Sequence, residues 1–370
     1  MNDNTSGKED FRSLVPKDNV NIDLIWECLQ SDRVNLEKIF AEIDRLSVHG
    51  TERELEREIH FLMFMYTGTQ TGIKNGINIF RSRKHAPHEE GIKNIAGLTY
   101  RKERDVTSLG RFNDIKQPIY YASTNPNVAM LETTLETATT DSKGYCTVAH
   151  SKLEHPNDLF VVNLFPQRIE DGVSVFQDSF EAFKHNYQDL KRITDKLPKD
   201  ISEKIVLIRT YVASRVVARQ SNPNFNCYKI TSTIAKILFN KFNVRGILYP
   251  TIAMGHRHAC LALSPKTYDE CFRTSKVYRL KYNYSNFRKN SDNDYTGSCF
   301  HTFTDMSWGI EDNGDIKWGP YIQSKGKDSV KIDFKAGETT ISAIDKPREK
   351  RLKKILSGEE FRYKGLRNLV

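Results

Sequence analysis

The chain has 370 residues, 38% of them apolar, with a mean hydropathy of −0.58 and a formal charge of +9. It is long enough for one large domain with extensions or two modest ones, with a sizeable core. No apolar run approaches the length of a membrane span, and six scattered cysteines without CxxC spacing (Cys28, Cys146, Cys227, Cys260, Cys271, Cys299) argue against a disulfide framework or a zinc cage. The charge is compatible with nucleic acid, an anionic small substrate or plain solubility, and selects none of them. The start, Met1-Asn2-Asp3-Asn4-Thr5, lacks the basic residues and apolar run of a secretory signal, so a cytoplasmic protein is expected.

Residues 1–20 are polar without periodicity and read as a loose tail. From Ile22 to Thr67 apolar residues recur at helical spacing, predicting two or three helices over 21–72, either a helical cap or a partner-binding arm. Thr51 and Glu54 have the S/T-x-x-E form of a capping box. A larger domain is expected over 73–268. Ile77 to Arg83 alternates apolar and polar residues as a half-buried strand does, and Gln117 to Ala122 is a second short strand. Asn125-Pro126 is a helix start, followed by Val128, Leu131 and Leu135 on one stripe. Glu132 falls on or beside that stripe, and an inward carboxylate is costly unless paired or used.

Strands follow at Tyr145–Ala149 and Leu159–Phe165, with a mixed stretch from Arg168 to Lys199 in which Phe176, Phe180 and Phe183 hint at helix. Ile201–Val217 and Tyr228–Phe239 read as helices, Gly246–Pro250 and Ala259–Leu263 as strands. Over 269–370 a β-rich extension runs to about Phe334, with a hairpin at Asn313-Gly314 and a basic helix around Lys346–Lys354. The fold class is therefore α+β with a mixed central sheet.

There is no Walker-A loop, no GxGxxG, no HExxH and no GxSxG elbow. What does occur, in order, is Phe80-Arg81, Gly110-Arg111-Phe112-Asn113, Ile119-Tyr120-Tyr121-Ala122-Ser123, Ala129-Met130-Leu131-Glu132 and Gly246-Ile247-Leu248-Tyr249-Pro250-Thr251. This ordered set resembles the RES-domain family, over roughly Ile77 to Tyr268. The resemblance implies a fold similar to ADP-ribosyltransferases and NAD degradation by phosphorolysis or hydrolysis, in toxins of toxin–antitoxin pairs. It maps the family's arginine onto Arg111, its glutamate onto Glu132 and its tyrosine onto Tyr120, with Thr251 at the serine position, which keeps the hydroxyl and adds a methyl group.

The residue chemistry is compatible with that assignment. An arginine grips a diphosphate bidentately, which suits Arg81, Arg83 or Arg111. A ring such as Tyr120 can stack on nicotinamide. Glu132 would stabilise the oxocarbenium character that builds as the ribose–nicotinamide bond breaks. Expected catalytic residues are Arg111, Glu132 and Tyr120, with Arg81, Tyr120, Ser123 and Thr251 binding substrate. The bland readings are an Arg111–Glu132 structural ion pair, a core aromatic at Tyr120, a solvated strand face at Arg83 and a turn cap at Thr251. His256, His258 and Cys260 would share a strand face, but without a fourth ligand they read as a polar pocket wall rather than a zinc site.

No cofactor or metal is expected, with NAD as substrate and inorganic phosphate as a candidate co-substrate. An antitoxin-like or regulatory protein and a homo-oligomer are candidate partners, nucleic acid stays open and a membrane is not expected. The alternatives to NAD cleavage are ADP-ribosyl transfer to a macromolecule and a non-catalytic binding protein with a decayed pocket.

Overall fold

The computed structural model describes residues 21–67, 70–85, 91–135, 137–165, 194–218, 223–251, 259–289, 295–320, 329–335 and 338–343. The expected N-terminal tail, the mixed stretch with Phe176, Phe180 and Phe183, the histidines His256 and His258, and the basic helix at Lys346–Lys354 lie outside the described residues.

Three N-terminal helices open the described chain: α1 (Ile22–Gln30), α2 (Leu36–His49) and α3 (Glu52–Met65). Each starts on the side chain that its sequence supplies. Asn21 and Asn35 accept from backbone N–H groups of the first turn, and Thr51 and Glu54 form the reciprocal capping box, a device worth about 1 kcal/mol. These helices are not a detached arm. Ile25, Leu29, Ile43, Leu55, Ile59 and Leu62 belong to the same buried cluster as Ile208, Val212 and Ile234 on α5 (Lys199–Val217) and α6 (Cys227–Asn240). Polar contacts fix the same junction. The Arg215 Nε donates to Asp44 Oδ1 at 2.9 Å, the Tyr211 hydroxyl donates to that oxygen at 2.8 Å, and the Phe40 and Tyr211 rings stack with centroids 4.2 Å apart.

The described strands form one twelve-stranded sheet with both parallel and antiparallel pairs, so the fold is α+β with a mixed sheet. The strands are β1 (Gln70–Ile73), β2 (Asn78–His85), β3 (Tyr120–Ser123), β4 (Lys143–Leu153), β5 (Leu159–Asn163), β6 (Gly246–Pro250) and β7 (Ala259–Leu263), then β8 (Phe272–Lys289), β9 (Tyr295–Ile310), β10 (Ile316–Pro320), β11 (Ser329–Lys335) and β12 (Glu338–Ala343). Their order is β1-β5-β6-β7-β3-β2-β4-β8-β9-β11-β12, with β10 on β9. Two short helices, α4 (Pro126–Thr134) and α7 (Pro265–Cys271), complete the described elements apart from 3₁₀ turns.

The central strands β6 and β7 are buried at every position, as their continuous apolar runs require. Gly246 belongs there because a Cβ would meet Leu263 Cδ2 and Val161 Cγ1, each at 2.8 Å. The C-terminal strands continue this sheet, since β8 pairs along the whole of β4 through Phe272–Asn283. The turn between β9 and β10 is where the Asn-Gly pair placed it, with Gly314 at φ +86°.

The two faces of the sheet are covered differently. Phe80, Val148, Ile247, Tyr249, Cys260 and Ala262 join the large cluster under the helices, whereas Ile79, Tyr120, Ala122, Leu248, Leu261 and Leu263 join a second cluster with Tyr268 and Phe272 around α7. Strand alternation therefore sends consecutive residues of β2 and β3 into different surroundings.

Candidate functional site

The helix face of the sheet gathers Arg111, Tyr121, Glu132, Tyr249 and Thr251. Glu132 sits in the last turn of α4, a helix set by the Asn125 side chain, which accepts from the N–H groups of Asn127 and Val128, and by Pro126 at its first position. Val128, Met130 and Leu131 bury into the core, while Glu132 is exposed. The expectation of an inward carboxylate is thus corrected. Helical phasing places Glu132 at the rim of the apolar stripe, because its neighbours on the turn already fill the core-facing positions.

The exposed carboxylate is nonetheless held. The Thr251 hydroxyl, fully buried just after β6, donates to Glu132 Oε1. The turn-cap reading of Thr251 gives way to a contact that ties the end of β6 to α4. Burial raises the Tyr249 hydroxyl and the Cys260 thiol well above their usual pKa values, and the Glu132 charge adds to both shifts.

Arg111 enters from the loop before β3. It is half-buried, its Nη1 donates to the carbonyls of Val216 and of Ala218, the latter at 3.4 Å, and its guanidinium lies 5.5 Å from the centroid of the Tyr228 ring. These contacts tie Arg111 to the C-terminal end of α5. Its charge acts on Tyr249 and Cys260 together with that of Glu132, which puts both groups around the same two side chains. The loop is anchored by Tyr121, whose hydroxyl accepts from the Phe112 N–H at 2.8 Å and donates to Asn113 Oδ1 at 3.1 Å. Burial raises the Tyr121 hydroxyl pKa, with the Phe112 N–H and Arg111 pulling against it. The Phe112 and Tyr249 rings meet edge to face at 4.8 Å.

Tyr120 is elsewhere. It is fully buried in the second cluster, its ring stacked on Tyr268 with centroids 3.8 Å apart, so it presents no free face to a ligand. The expected role in stacking is corrected to a core role. Of the two tyrosines of β3 it is Tyr121, one residue on, that lies near Arg111, because alternation turns them to opposite faces. Arg81 is with Tyr120, its guanidinium 5.1 Å from that ring's centroid and its Nη1 donating to the Tyr121 carbonyl at 2.8 Å. Arg83 is not a solvated strand residue; it is half-buried and donates to the Thr99 carbonyl at 3.1 Å. Ser123 is buried, its hydroxyl donating to the Ala259 carbonyl at 3.1 Å and accepting from Asn125 N–H at 3.3 Å, so it shapes the strand-to-helix turn.

Of the expected site residues, the structure brings Arg111, Glu132 and Thr251 to one face of the sheet, and Tyr121, Tyr228 and Tyr249, given no role from the sequence, lie around them. Tyr121 had a signal, since it neighbours a tyrosine in a period-2 strand whose facing was undecided. Tyr249 lay within the Gly246–Thr251 motif without being given a role, and Tyr228 had no signal beyond being aromatic. As built, the site offers a solvent-reachable, hydroxyl-oriented carboxylate and a guanidinium fixed by two carbonyls, with tyrosine rings around them. Such a set can hold an anionic group at one end and stabilise developing positive charge at the other.

A scan against protein-family models gives no match, and a search of curated proteins gives none either. Among solved structures, the chain is similar to one in the crystal structure of the M. tuberculosis MbcT–MbcA toxin–antitoxin complex, at 12% identity and a TM-score of 0.27, over 56% of this chain and 85% of that chain.

Proposed function

We propose that this protein cleaves the ribose–nicotinamide bond of NAD, by phosphorolysis or hydrolysis, at the site that contains Arg111 and Glu132. The observation that carries the reading is the Thr251–Glu132 contact. It brings together two residues far apart in sequence that the RES-domain resemblance assigns to one site, and leaves the carboxylate open to solvent.

Arg111 takes the diphosphate, as a guanidinium held in one orientation does well. Tyr121 and Tyr228 line the nicotinamide side in place of Tyr120. As the C1′–N bond breaks, its electron pair leaves with nicotinamide, neutralising the pyridinium, and positive charge builds on the ribose. Glu132 stabilises that charge, with Thr251 fixing which carboxylate oxygen faces it. A phosphate or water oxygen then forms the new bond at C1′, and water in that role gives up a proton to solvent or to Glu132. The exposure of Glu132 also leaves room for a macromolecular acceptor, which makes ADP-ribosyl transfer the second reading. A toxin-like role with a neutralising protein over this site belongs to the same proposal.

The test is incubation of the purified full-length protein with NAD, with and without phosphate, following nicotinamide release. Phosphorolysis yields a phosphorylated ADP-ribose, hydrolysis yields ADP-ribose, and transfer leaves label from NAD on a macromolecule. Folded protein that releases no nicotinamide under any of these conditions rules the proposal out.

A further inference from the structure

The C-terminal half of the sheet has one covered face and one open face. Strands β4, β8, β9 and β11 lie side by side in antiparallel pairs. On β8, Leu280, Tyr282 and Tyr284 turn inward and join the large cluster under the helices, where the Tyr284 hydroxyl meets that of Thr134 on α4 at 2.7 Å. Lys281 and Asn283, which alternate with them, are exposed. The open face is therefore the one turned away from the helix that carries Glu132.

Strand register lines up side chains across this face. One row runs Lys143, Asn283, Phe300 and Lys331 over the four strands, and Tyr145 opposite Lys281 begins the next. Lys143, Lys281 and Asn283 are exposed, and Tyr145, Phe300 and Lys331 are half-buried. Neither Phe300 nor Tyr145 belongs to a buried apolar cluster of the described residues, so these two rings are not explained by core packing. Two strands and one row apart, they are about 12 Å from each other.

The charges on the face do not cancel. Asp333 is taken by Lys331 Nζ at 2.8 Å and by the Ser298 hydroxyl at 2.6 Å, and Asp305 by Arg279 Nη1 at 3.4 Å. Lys143 and Lys281 form no ion pair among the described residues. The Lys331 Nζ also lies 5.8 Å from the centroid of the Phe300 ring, so cation and ring sit side by side.

We propose that the open face of β4, β8, β9 and β11 binds single-stranded nucleic acid, with Phe300 and Tyr145 stacking on bases and Lys143, Lys281 and Lys331 meeting phosphates. Separated aromatic rings on an antiparallel sheet, with ammonium groups between them, match a chain of planar bases joined by anions. A duplex fits less well, because its bases are already stacked on one another. The face is remote from the Arg111 and Glu132 side of the sheet, and the proposal stands or falls independently of NAD cleavage.

The experiment is fluorescence anisotropy of labelled oligouridine, about 12 nucleotides long, titrated with the full-length protein in the absence of NAD. Binding is expected to weaken with salt at a log–log slope of about −2, from three phosphates at about −0.7 each. Lys281→Gln should make that slope shallower by about 0.7. Phe300→Ala should weaken binding about tenfold while leaving the slope unchanged, which separates stacking from charge. Phe300→Leu, which keeps an apolar side chain at the position, should show the same loss of stacking. Arg45→Gln, an exposed charge on α2, should change nothing. Oligodeoxythymidine that competes equally makes the ligand a single strand of either sugar, and one that fails to compete makes it RNA. Absence of binding, equal competition by a duplex of the same length, or wild-type affinity in both Phe300 variants overturns the proposal.

Discussion

The buried Thr251 hydroxyl donates to the exposed Glu132 carboxylate, joining two positions 119 residues apart. A hydrogen bond to a charged group contributes about 1.5–3 kcal/mol. Thr251→Val keeps the shape and removes the donor, so turnover of NAD should fall by about tenfold or more, the lower end of that range. Thr251→Ser should keep most of the activity, because the hydroxyl alone makes the contact. Glu132→Gln should lower nicotinamide release by about a hundredfold or more with an unchanged circular dichroism spectrum; retained turnover would take Glu132 out of the mechanism.

Tyr120 and Tyr121 are adjacent but do different jobs, and substitutions should separate them. Tyr120→Ala empties a fully buried ring site against Tyr268 and should cost about 3–5 kcal/mol of stability, read as a shifted denaturation midpoint. Tyr121→Phe leaves the core intact but frees the Phe112 N–H and Asn113. Its expected effect is weaker NAD binding through a looser Arg111 loop, seen as a raised KM with a small stability change of about 1 kcal/mol.

Two buried histidines set a pH dependence of stability. Burial takes both His150 and His301 from an ordinary value of 6.5 down to about 4. The unfolded chain then binds more protons than the native one between those values, so stability should be full above about pH 6.5 and fall as pH drops toward 4. Each group contributes on the order of 3 kcal/mol over that window. Thermal midpoints measured from pH 7.5 to 4.5 should trace this decline, and His301→Phe should flatten it; identical slopes for the two proteins would exclude His301 as a contributor.

The N-terminal helices are fastened to α5 by Asp44, which accepts from Tyr211 and Arg215. Asp44→Ala should cost about 2 kcal/mol, less than a fully buried pair would, because the Arg215 and Asp44 side chains are 15% and 21% exposed and solvent weakens the contact. Removing residues 21–67 altogether should give an insoluble or unfolded chain, since their apolar faces lie in the main core. A folded, monomeric truncation would show that the remaining sheet and helices can close that core without them.

What the sequence determined alone was local. Caps at Thr51 and Asn125, the apolar stripes of α3, α5 and α6, the alternation in β2 and the Asn-Gly turn all follow from side chains acting within a few residues, where spacing along the chain equals spacing in space. The same rules named Arg111, Glu132 and Thr251 only with the help of an ordered motif resemblance. Tertiary structure decided which face each residue meets. A one-residue difference in a period-2 strand put Tyr120 in the core and Tyr121 beside Arg111, and sheet order set Arg81 and Arg83 opposite Glu132. Local patterning fixes how residues alternate, but which side of a sheet receives the helices depends on pairings between strands far apart in the chain.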